Sequence, residues 1–181
     1  MSTWSGFAYV AFVVDAYARR ILGWRVAGTM ATSMVLDAIE QAIWTRQQEG
    51  VIDLKDVVHH TDRGSQYTSI RFTERLAEAG IQPSVGAVGS SYDNALAETI
   101  NGLYKTELIK PRKPWRTIEE VELATAEWVH WSTTFGSTNT AEISRRSKWR
   151  WPTTLATRDQ PPAEFSHQEV SGLTGAVQVA V

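Results

Sequence analysis

Apolar residues along the chain fall into short continuous runs and into longer stretches with helical spacing. Residues 6–14 are almost wholly apolar, aromatic or β-branched, which predicts a strand buried on both faces. Residues 21–26 predict a second strand that forms a hairpin with the first, and residues 56–60 and 81–85 predict two further short strands. Apolar residues spaced by three and four predict four helices, at about 32–48, 69–79, 91–109 and 117–131.

Polar residues and glycines predict where these helices begin and end. Thr32 or Ser33 is expected to cap the first helix, and Gly50 to end it. Thr117, with Glu120 three residues later, has the capping-box pattern and opens the last helix. A strand hairpin followed by helix, strand, helix, strand and helix predicts an α/β fold in which helices pack on a mixed sheet.

The pattern weakens after residue 131. Residues 132–158 contain 11 Ser or Thr without clear periodicity, and the residues from 161 onward are also weakly patterned. We therefore expect one folded domain over residues 5–131, followed by an irregular or disordered tail over residues 132–181.

Composition narrows the function classes. The chain has 181 residues, enough for one domain with a sizeable core, and its lack of cysteine excludes disulfides, zinc–thiolate sites and thiol catalysis. The net charge of −2 means that any nucleic-acid binding must come from local Lys and Arg placement. No apolar run approaches the roughly 20 residues of a membrane helix, and no signal-peptide pattern opens the chain, so we expect a soluble cytoplasmic protein without a membrane partner.

Two acidic residues are candidate metal ligands. Asp62 directly follows the strand predicted at residues 56–60, and Glu98 lies in the third helix among small residues, with 35 residues between the two acids. Alone, Asp62 fits a turn residue and Glu98 a solvated helix residue. Two carboxylates on different rigid elements are what a divalent-metal site needs, and oxygen ligands suit Mg²⁺ or Mn²⁺.

Lys105 adds a cation to this candidate site. It follows Glu98 by seven residues, about 700° at 100° per residue, so the two are expected to share a helix face. The acid could then bind a metal while the lysine binds a phosphate of the same ligand, although a solvated helix lysine is the commoner case. Polar side chains near the two acids could also contact phosphates or stack on bases, or could serve as turn and cap residues: Arg63, Gln66, Tyr67, Tyr92 and Asn94.

His59 and His60 leave a metallohydrolase as another hypothesis, with Asp62 as a third ligand. Adjacent strand residues point to opposite faces of a sheet, which argues against both histidines binding one ion.

Three motifs together resemble a known family. The motifs are His59-His60-Thr61-Asp62-Arg63-Gly64-Ser65-Gln66-Tyr67, Ser91-Tyr92-Asp93-Asn94-Ala95-Leu96-Ala97-Glu98 and Lys105-Thr106-Glu107-Leu108. With the chain around them, about residues 5–131, they closely resemble the integrase-like core of bacterial insertion-sequence transposases of the insertion-sequence-three family. The resemblance implies a ribonuclease-H-like fold and a DDE acid triad. It further implies two divalent metal ions, Mg²⁺ or Mn²⁺, that support the cutting and joining of DNA at element ends and target, by a protein that works as a homo-oligomer.

Carried over by the resemblance, Asp62 is the second acid of the triad, Glu98 the third, and Lys105 the basic residue that contacts DNA. The family's first acid lies on an upstream strand at the centre of the sheet, whereas no acid precedes Asp15 here. We do not expect Asp15 to replace it, because Asp15 aligns with the far end of the next strand. The resemblance therefore implies a partial core, truncated at the N-terminus, that lacks its first, central strand and leaves ladder groups exposed.

The resemblance also predicts an Asn-x-x-Arg-x-His-like stretch after Trp131. The Ser/Thr/Arg-rich run found there instead indicates a frameshifted or decayed segment. Two interpretations stay open: a DDE transposase core that uses magnesium, or a catalytically inactive remnant that at most binds DNA or a transposase partner.

Overall fold

The computed structural model describes residues 1–61, 69–85, 91–112, 114–135 and 176–180. Within them the chain forms strands, α-helices and one π-helix, in this order: β1 (Ser2–Thr3), β2 (Gly6–Phe7), β3 (Tyr9–Asp15), β4 (Ile21–Ala27), α1 (Thr32–Gln48), β5 (Val58–Thr61), α2 (Ile70–Glu78), β6 (Gln82–Val85), α3 (Ser91–Leu103), the π-helix (Tyr104–Ile109), α4 (Ile118–Phe135) and β7 (Ala176–Ala180). The predicted α/β class and its order of elements are confirmed through α4.

Five of these strands form one mixed sheet in the order β4-β3-β7-β5-β6. β3 runs antiparallel to both β4 and β7, whereas β5 runs parallel to both β6 and β7. β1 and β2 form a separate two-stranded hairpin. The first long strand was predicted to begin at residue 6, but it begins at Tyr9, because Gly6 (φ +131°) and the exposed Phe7 belong to the small hairpin.

Helices cover both faces of the sheet, as a strand buried on two sides requires. Alternate residues of β3 point to opposite faces. Val13 packs with α1 and α2 in one core cluster, whereas Phe12 and Val14 pack with the π-helix and α4 in a second. β3 is therefore buried on both faces, as its continuous apolar run predicts.

The caps agree with the sequence at one helix and differ at another. Thr117 accepts a hydrogen bond from the Glu120 backbone N–H at 3.2 Å, which confirms the cap predicted for α4. For α1 the cap prediction is wrong: the N-cap is Ala31, without a side-chain hydrogen bond. Thr32 is already the first helical residue, so its hydroxyl lies one position too far along the chain to cap the helix.

The prediction of an irregular tail is wrong in two places. α4 continues to Phe135, because no glycine or proline interrupts the chain before Gly136. Residues 176–180 form β7, whose sequence Ala-Val-Gln-Val-Ala alternates β-branched residues with smaller or polar ones. The remainder of the predicted tail, residues 136–175 and Val181, lies outside the described residues.

β7 occupies the centre of the sheet. It pairs with β3 at Phe12–Asp15 on one side and with β5 at Val58–His60 on the other. The expected exposed ladder groups on β3 and β5 are therefore corrected, because a strand from the far end of the chain pairs with both. That the chain lacks the family's first strand stays a prediction. No helix among the described residues is both long and apolar enough to span a bilayer.

Candidate metal and nucleic-acid site

The structure describes some of the predicted site residues and not others. Asp62, Arg63, Gln66 and Tyr67 lie outside the described residues, although β5 ends at Thr61, immediately before them. The backbones of Tyr92 and Asn94 lie in the first turns of α3, and nothing is described of their side chains. The described part of the predicted site therefore consists of Glu98 and Lys105 with the elements that hold them.

Glu98 lies on the solvent side of α3. Its side chain is exposed, whereas Ile100, two positions further, is buried against the sheet. Within the described part of the chain the Glu98 carboxylate makes no ion pair or hydrogen bond. The surface beside Glu98 is open at Gly102, one helical turn further, since no described atom lies within 4 Å of where a Cβ atom of Gly102 would be. Among the described residues, the Glu98 carboxylate therefore has no partner and is open to approach by another molecule.

α3 lies against β7, which brings Glu98's helix over the centre of the sheet. In the register of the sheet, Gln178 of β7 stands between Val14 of β3 and His60 of β5. Directly paired residues share a face of a sheet, and Val14 packs in the core cluster of α3 and the π-helix. Val14 and His60, which stand on either side of the Gln178 backbone, therefore belong to the face that α3 covers. His60 lies one residue before the end of β5.

Lys105 is also exposed and unpaired among the described side chains. Its phase relative to Glu98 differs from the predicted 700°, because the α-helix gives way to a π-helix at Tyr104. In a π-helix the hydrogen bonds run from i to i+5, so each residue turns by less than 100°. Of the seven residue-to-residue rotations between Glu98 and Lys105, only the last two fall in the π-helix. A shared ligand for Glu98 and Lys105 stays a prediction.

Three aromatic rings anchor the π-helix. Tyr104 packs edge-on against Phe12 at 5.1 Å and against Trp128 at 5.2 Å between ring centroids. Its hydroxyl lies 2.7 Å from that of Thr125, and burial raises the pKa of Tyr104 to about 12. Rings in such edge-to-face arrangements contribute stability beyond the apolar area that they bury. The cluster therefore fixes the helix that carries Glu98 and Lys105 onto the sheet.

His59 is a core residue. It is 1% exposed, packs edge-on against Phe72 at 5.3 Å, and leaves its Nε2 atom without a hydrogen-bond partner. Burial, followed by the charge of His60, lowers the pKa of His59 to about 4. Because Phe72 belongs to the core cluster of α1 and α2, His59 faces away from α3. The described residues contain no cluster of three metal-binding side chains, so nothing in them supports the histidine metallohydrolase.

Asp15 is engaged as a turn residue. Its Oδ1 atom accepts hydrogen bonds from the backbone N–H groups of Tyr17 at 2.8 Å and Ala18 at 2.9 Å, and its Oδ2 atom pairs with Arg46. Asp15 and His59 stand on either side of the Val177 backbone, so Asp15 lies on the face away from α3. That Asp15 is not a metal ligand stays a prediction.

The sequence interpretation missed three exposed residues near the end of the π-helix: Trp4, Lys110 and Arg116. The signal was present in the run Lys110-Pro-Arg-Lys-Pro-Trp-Arg116, which carries four cations in seven residues. Trp4 gave no such signal, because its position beside Arg116 depends on the tertiary fold.

The sequence profile of the integrase core domain matches residues 1–91, and a second integrase core domain profile matches residues 79–132. A candidate transposase for insertion sequence element IS986/IS6110 from Mycobacterium tuberculosis is 91% identical over 131 residues, 72% of this chain and 47% of that protein. The transposase for insertion sequence element IS629 from Shigella sonnei is 55% identical over 131 residues, 72% of this chain and 42% of that protein.

A more distant relative is transposase InsF for insertion sequence IS3A of Escherichia coli, 33% identical over 109 residues, 60% of this chain and 36% of that protein. The chain thus spans about half the length, or less, of the curated relatives it matches. Among solved structures, the intasome of simian T-cell lymphotropic virus in complex with PP2A regulatory subunit B56 gamma matches with a TM-score of 0.54 at 16% identity, over 92% of this chain and 57% of that chain. At this identity the likeness concerns the fold alone.

Proposed function

This chain belongs to the integrase core domain family, among insertion-sequence transposases, and from that premise we propose that it cuts and joins DNA strands by metal-dependent phosphoryl transfer. The family membership gives it a ribonuclease-H-like α/β fold. The observation that carries the proposal is the Glu98 carboxylate, which is exposed and has no partner among the described residues. Its helix packs over the centre of the sheet, and the neighbouring strand β5 ends immediately before Asp62.

The proposed ligands suit a hard cation. Asp62 and Glu98 would hold Mg²⁺ or Mn²⁺ through carboxylate oxygens, which these ions prefer to imidazole nitrogen. That Glu98 has no Arg or Lys partner among the described residues supports this role, because a carboxylate already bound to such a partner would first have to give it up. When bound, such ions activate a water or a 3′-hydroxyl and stabilise the leaving oxygen.

The other proposed residues bind and orient DNA. Lys105, which has no acidic partner among the described residues and follows Glu98 by seven positions, is proposed to bind a phosphate of the strand being cut. Five further residues are proposed to contact phosphates or bases around the two acids: Arg63, Gln66, Tyr67, Tyr92 and Asn94. DNA at element ends and at the target is the proposed partner, and a homo-oligomer the proposed working form, by membership of the transposase family.

A second candidate function is DNA binding without catalysis. It is favoured by β7, which fills the centre of the sheet with Ala-Val-Gln-Val-Ala and contributes no carboxylate. Two acids hold a pair of metal ions less well than three, so the chain would then bind DNA or a transposase partner and leave the strands intact.

Strand nicking and strand joining with Mg²⁺ distinguish the two candidates. If the chain is catalytic, the full chain should nick labelled duplex DNA. Asp62→Asn and Glu98→Gln should each reduce the nicking rate at least about 100-fold. Glu74→Gln, which changes an exposed acid on α2, should alter the rate little. Absence of nicking by the wild type, with DNA binding retained, would establish the non-catalytic function. In that event Gln178→Asp, which adds an acid to the central strand, is the variant in which to look for nicking.

A further inference from the structure

The cations of this chain are unequally neutralised. Among the described residues, six Lys or Arg side chains lie within 4 Å of a carboxylate: Arg20, Arg25, Arg46, Lys55, Arg75 and Arg112. Lys105, Lys110 and Arg116 have no acidic partner in the described part of the chain. All three belong to residues 105–116, which we call the basic segment. Free positive charge is thus concentrated there, although the whole chain carries −2.

The only acid of the basic segment, Glu107, does not offset this charge at the surface. Its Oε2 atom accepts a hydrogen bond from the Trp128 indole N–H at 2.9 Å, on the side that faces α4. The segment therefore presents Lys105, Lys110 and Arg116 to solvent, whereas its carboxylate is bonded to α4. An anionic polymer that follows the segment would meet ammonium and guanidinium groups with little local repulsion.

Trp115 holds the far end of the basic segment in place. Its ring is 2% exposed, and its indole N–H donates to the carbonyl oxygen of Ile109 at 3.1 Å. Its own carbonyl oxygen accepts from the backbone N–H of Trp4 at 3.1 Å. These bonds tie the end of the π-helix to the β1–β2 hairpin and fix the position of Arg116, the next residue.

An exposed aromatic ring lies beside the last cation. Trp4, in the turn between β1 and β2, is 74% exposed, and the Arg116 guanidinium lies 5.9 Å from its ring centre. An indole this open presents its flat face for contact with another molecule. A cation and a flat ring side by side are the elements that bind nucleic acid by phosphate contact and base stacking.

We propose that Trp4, Lys110 and Arg116 form a second DNA-binding surface, separate from the Asp62–Glu98 site. Lys110 and Arg116 bind phosphates, and Trp4 stacks on a base. A base inside a duplex is already stacked on both sides, so the base that Trp4 covers is an unpaired one, at or beside a strand end. The inference rests on the proposed function for its choice of DNA as the partner.

Fluorescence anisotropy of labelled oligonucleotides tests this surface in the full chain, with EDTA present so that metal binding plays no part. The two probes are a blunt duplex and the same duplex with a short single-stranded overhang. Trp4→Ala should weaken binding of the overhang DNA roughly 5- to 100-fold, with the blunt duplex affected less than about twofold, and Trp4→Phe should retain most of the affinity. Lys110→Gln and Arg116→Gln should weaken both probes, each lowering the salt-dependence slope by about one.

Matched controls are available in the same chain. Arg71→Gln removes another cation without an acidic partner among the described residues, and Trp44→Ala removes another exposed indole, both away from the basic segment. Effects of these controls equal to those at Lys110, Arg116 and Trp4 would overturn the proposal, as would equal loss of both probes in Trp4→Ala. Unchanged DNA affinity in Trp4→Ala, with a shift from dimer to monomer in sedimentation, would assign the ring to a protein contact and also overturn it.

The same assays separate this inference from the proposed function. Wild-type chain that binds and nicks DNA, with unchanged affinity in the Trp4, Lys110 and Arg116 variants, would refute the second surface alone. Wild-type chain that binds neither probe would refute both.

Discussion

The hydroxyl groups of Tyr104 and Thr125 lie 2.7 Å apart in the core, where the π-helix meets α4. Thr125 donates its own proton to the carbonyl oxygen of Val121 at 2.7 Å, so Tyr104 must be the donor between the two hydroxyls. Tyr104 thus depends on Thr125 for its hydrogen bond, whereas Thr125 retains a partner without Tyr104.

This dependence predicts unequal costs for two small substitutions. Thr125→Val leaves the buried Tyr104 hydroxyl unpaired and should cost about 1–3 kcal/mol of unfolding free energy, whereas Tyr104→Phe should cost about 1 kcal/mol. The double variant should be more stable than the sum of the two losses implies, because no unpaired hydroxyl remains. Urea denaturation of the four proteins measures the coupling, and strictly additive losses would show that the hydroxyls are not bonded to each other.

Gly23 is predicted to tolerate no side chain. A Cβ atom there would lie 2.1 Å from the carbonyl oxygen of Ala38 and 2.8 Å from the backbone nitrogen of Ala42, so β4 and α1 would have to separate. Gly23→Ala should cost about 3 kcal/mol or more. Gly102→Ala is the control: it adds the same methyl group to α3 in open space and should stabilise the helix by up to about 1 kcal/mol. Similar melting temperatures for the two variants would contradict the packing of β4 on α1.

His59 predicts a loss of stability in mild acid. Its pKa is about 4 in the folded chain and about 6.5 when unfolded, so between these values the unfolded chain binds the proton and the folded chain does not. Stability should therefore fall as the pH falls from about 6.5 to 4, by about 3 kcal/mol in total from this residue. His59→Asn should flatten the pH dependence over this range, and His130→Asn, at an exposed position, should not. Equal slopes in wild type and His59→Asn would refute the prediction.

The central position of β7 predicts that its backbone is needed for stability. Gln178→Pro removes a ladder N–H opposite Val14 and His60 and should cost about 3 kcal/mol or more. Hydrogen exchange should then accelerate at the paired residues of β3 and β5. Gln178→Thr, which suits a strand, serves as the control. If Gln178→Pro and Gln178→Thr unfold at the same temperature, β7 does not belong to the sheet.

The sequence predicted most of the fold because its patterns are local. The unbroken apolar run of β3 required burial on both faces, and Thr117 with Glu120 marked the start of α4 correctly. The sequence did not predict β7, because its place in the sheet depends on contacts between distant parts of the chain. Five residues of alternating pattern carry little signal by themselves, and their place between β3 and β5 depends on pairing partners more than 100 positions away.

The site was predictable where spacing alone was informative. Glu98 was expected on a helix, and it lies there exposed and unpaired among the described residues. The π-helix after it was not predictable, because the wider turn accompanies the packing of Tyr104 between Phe12 and Trp128, a tertiary contact. Trp4 beside Arg116 likewise needed the fold, since 112 positions separate the two residues.

Asp62 and Glu98 are proposed to bind the same divalent metal ion, and Mn²⁺ titration calorimetry is the decisive experiment. Asp62→Asn and Glu98→Gln should each weaken Mn²⁺ binding at least tenfold, and the double variant should lose little more than either single variant, because the two acids share the ion. Glu74→Gln should bind Mn²⁺ as the wild type does. Wild-type affinity in Glu98→Gln, or losses no larger than that of Glu74→Gln, would contradict the claim.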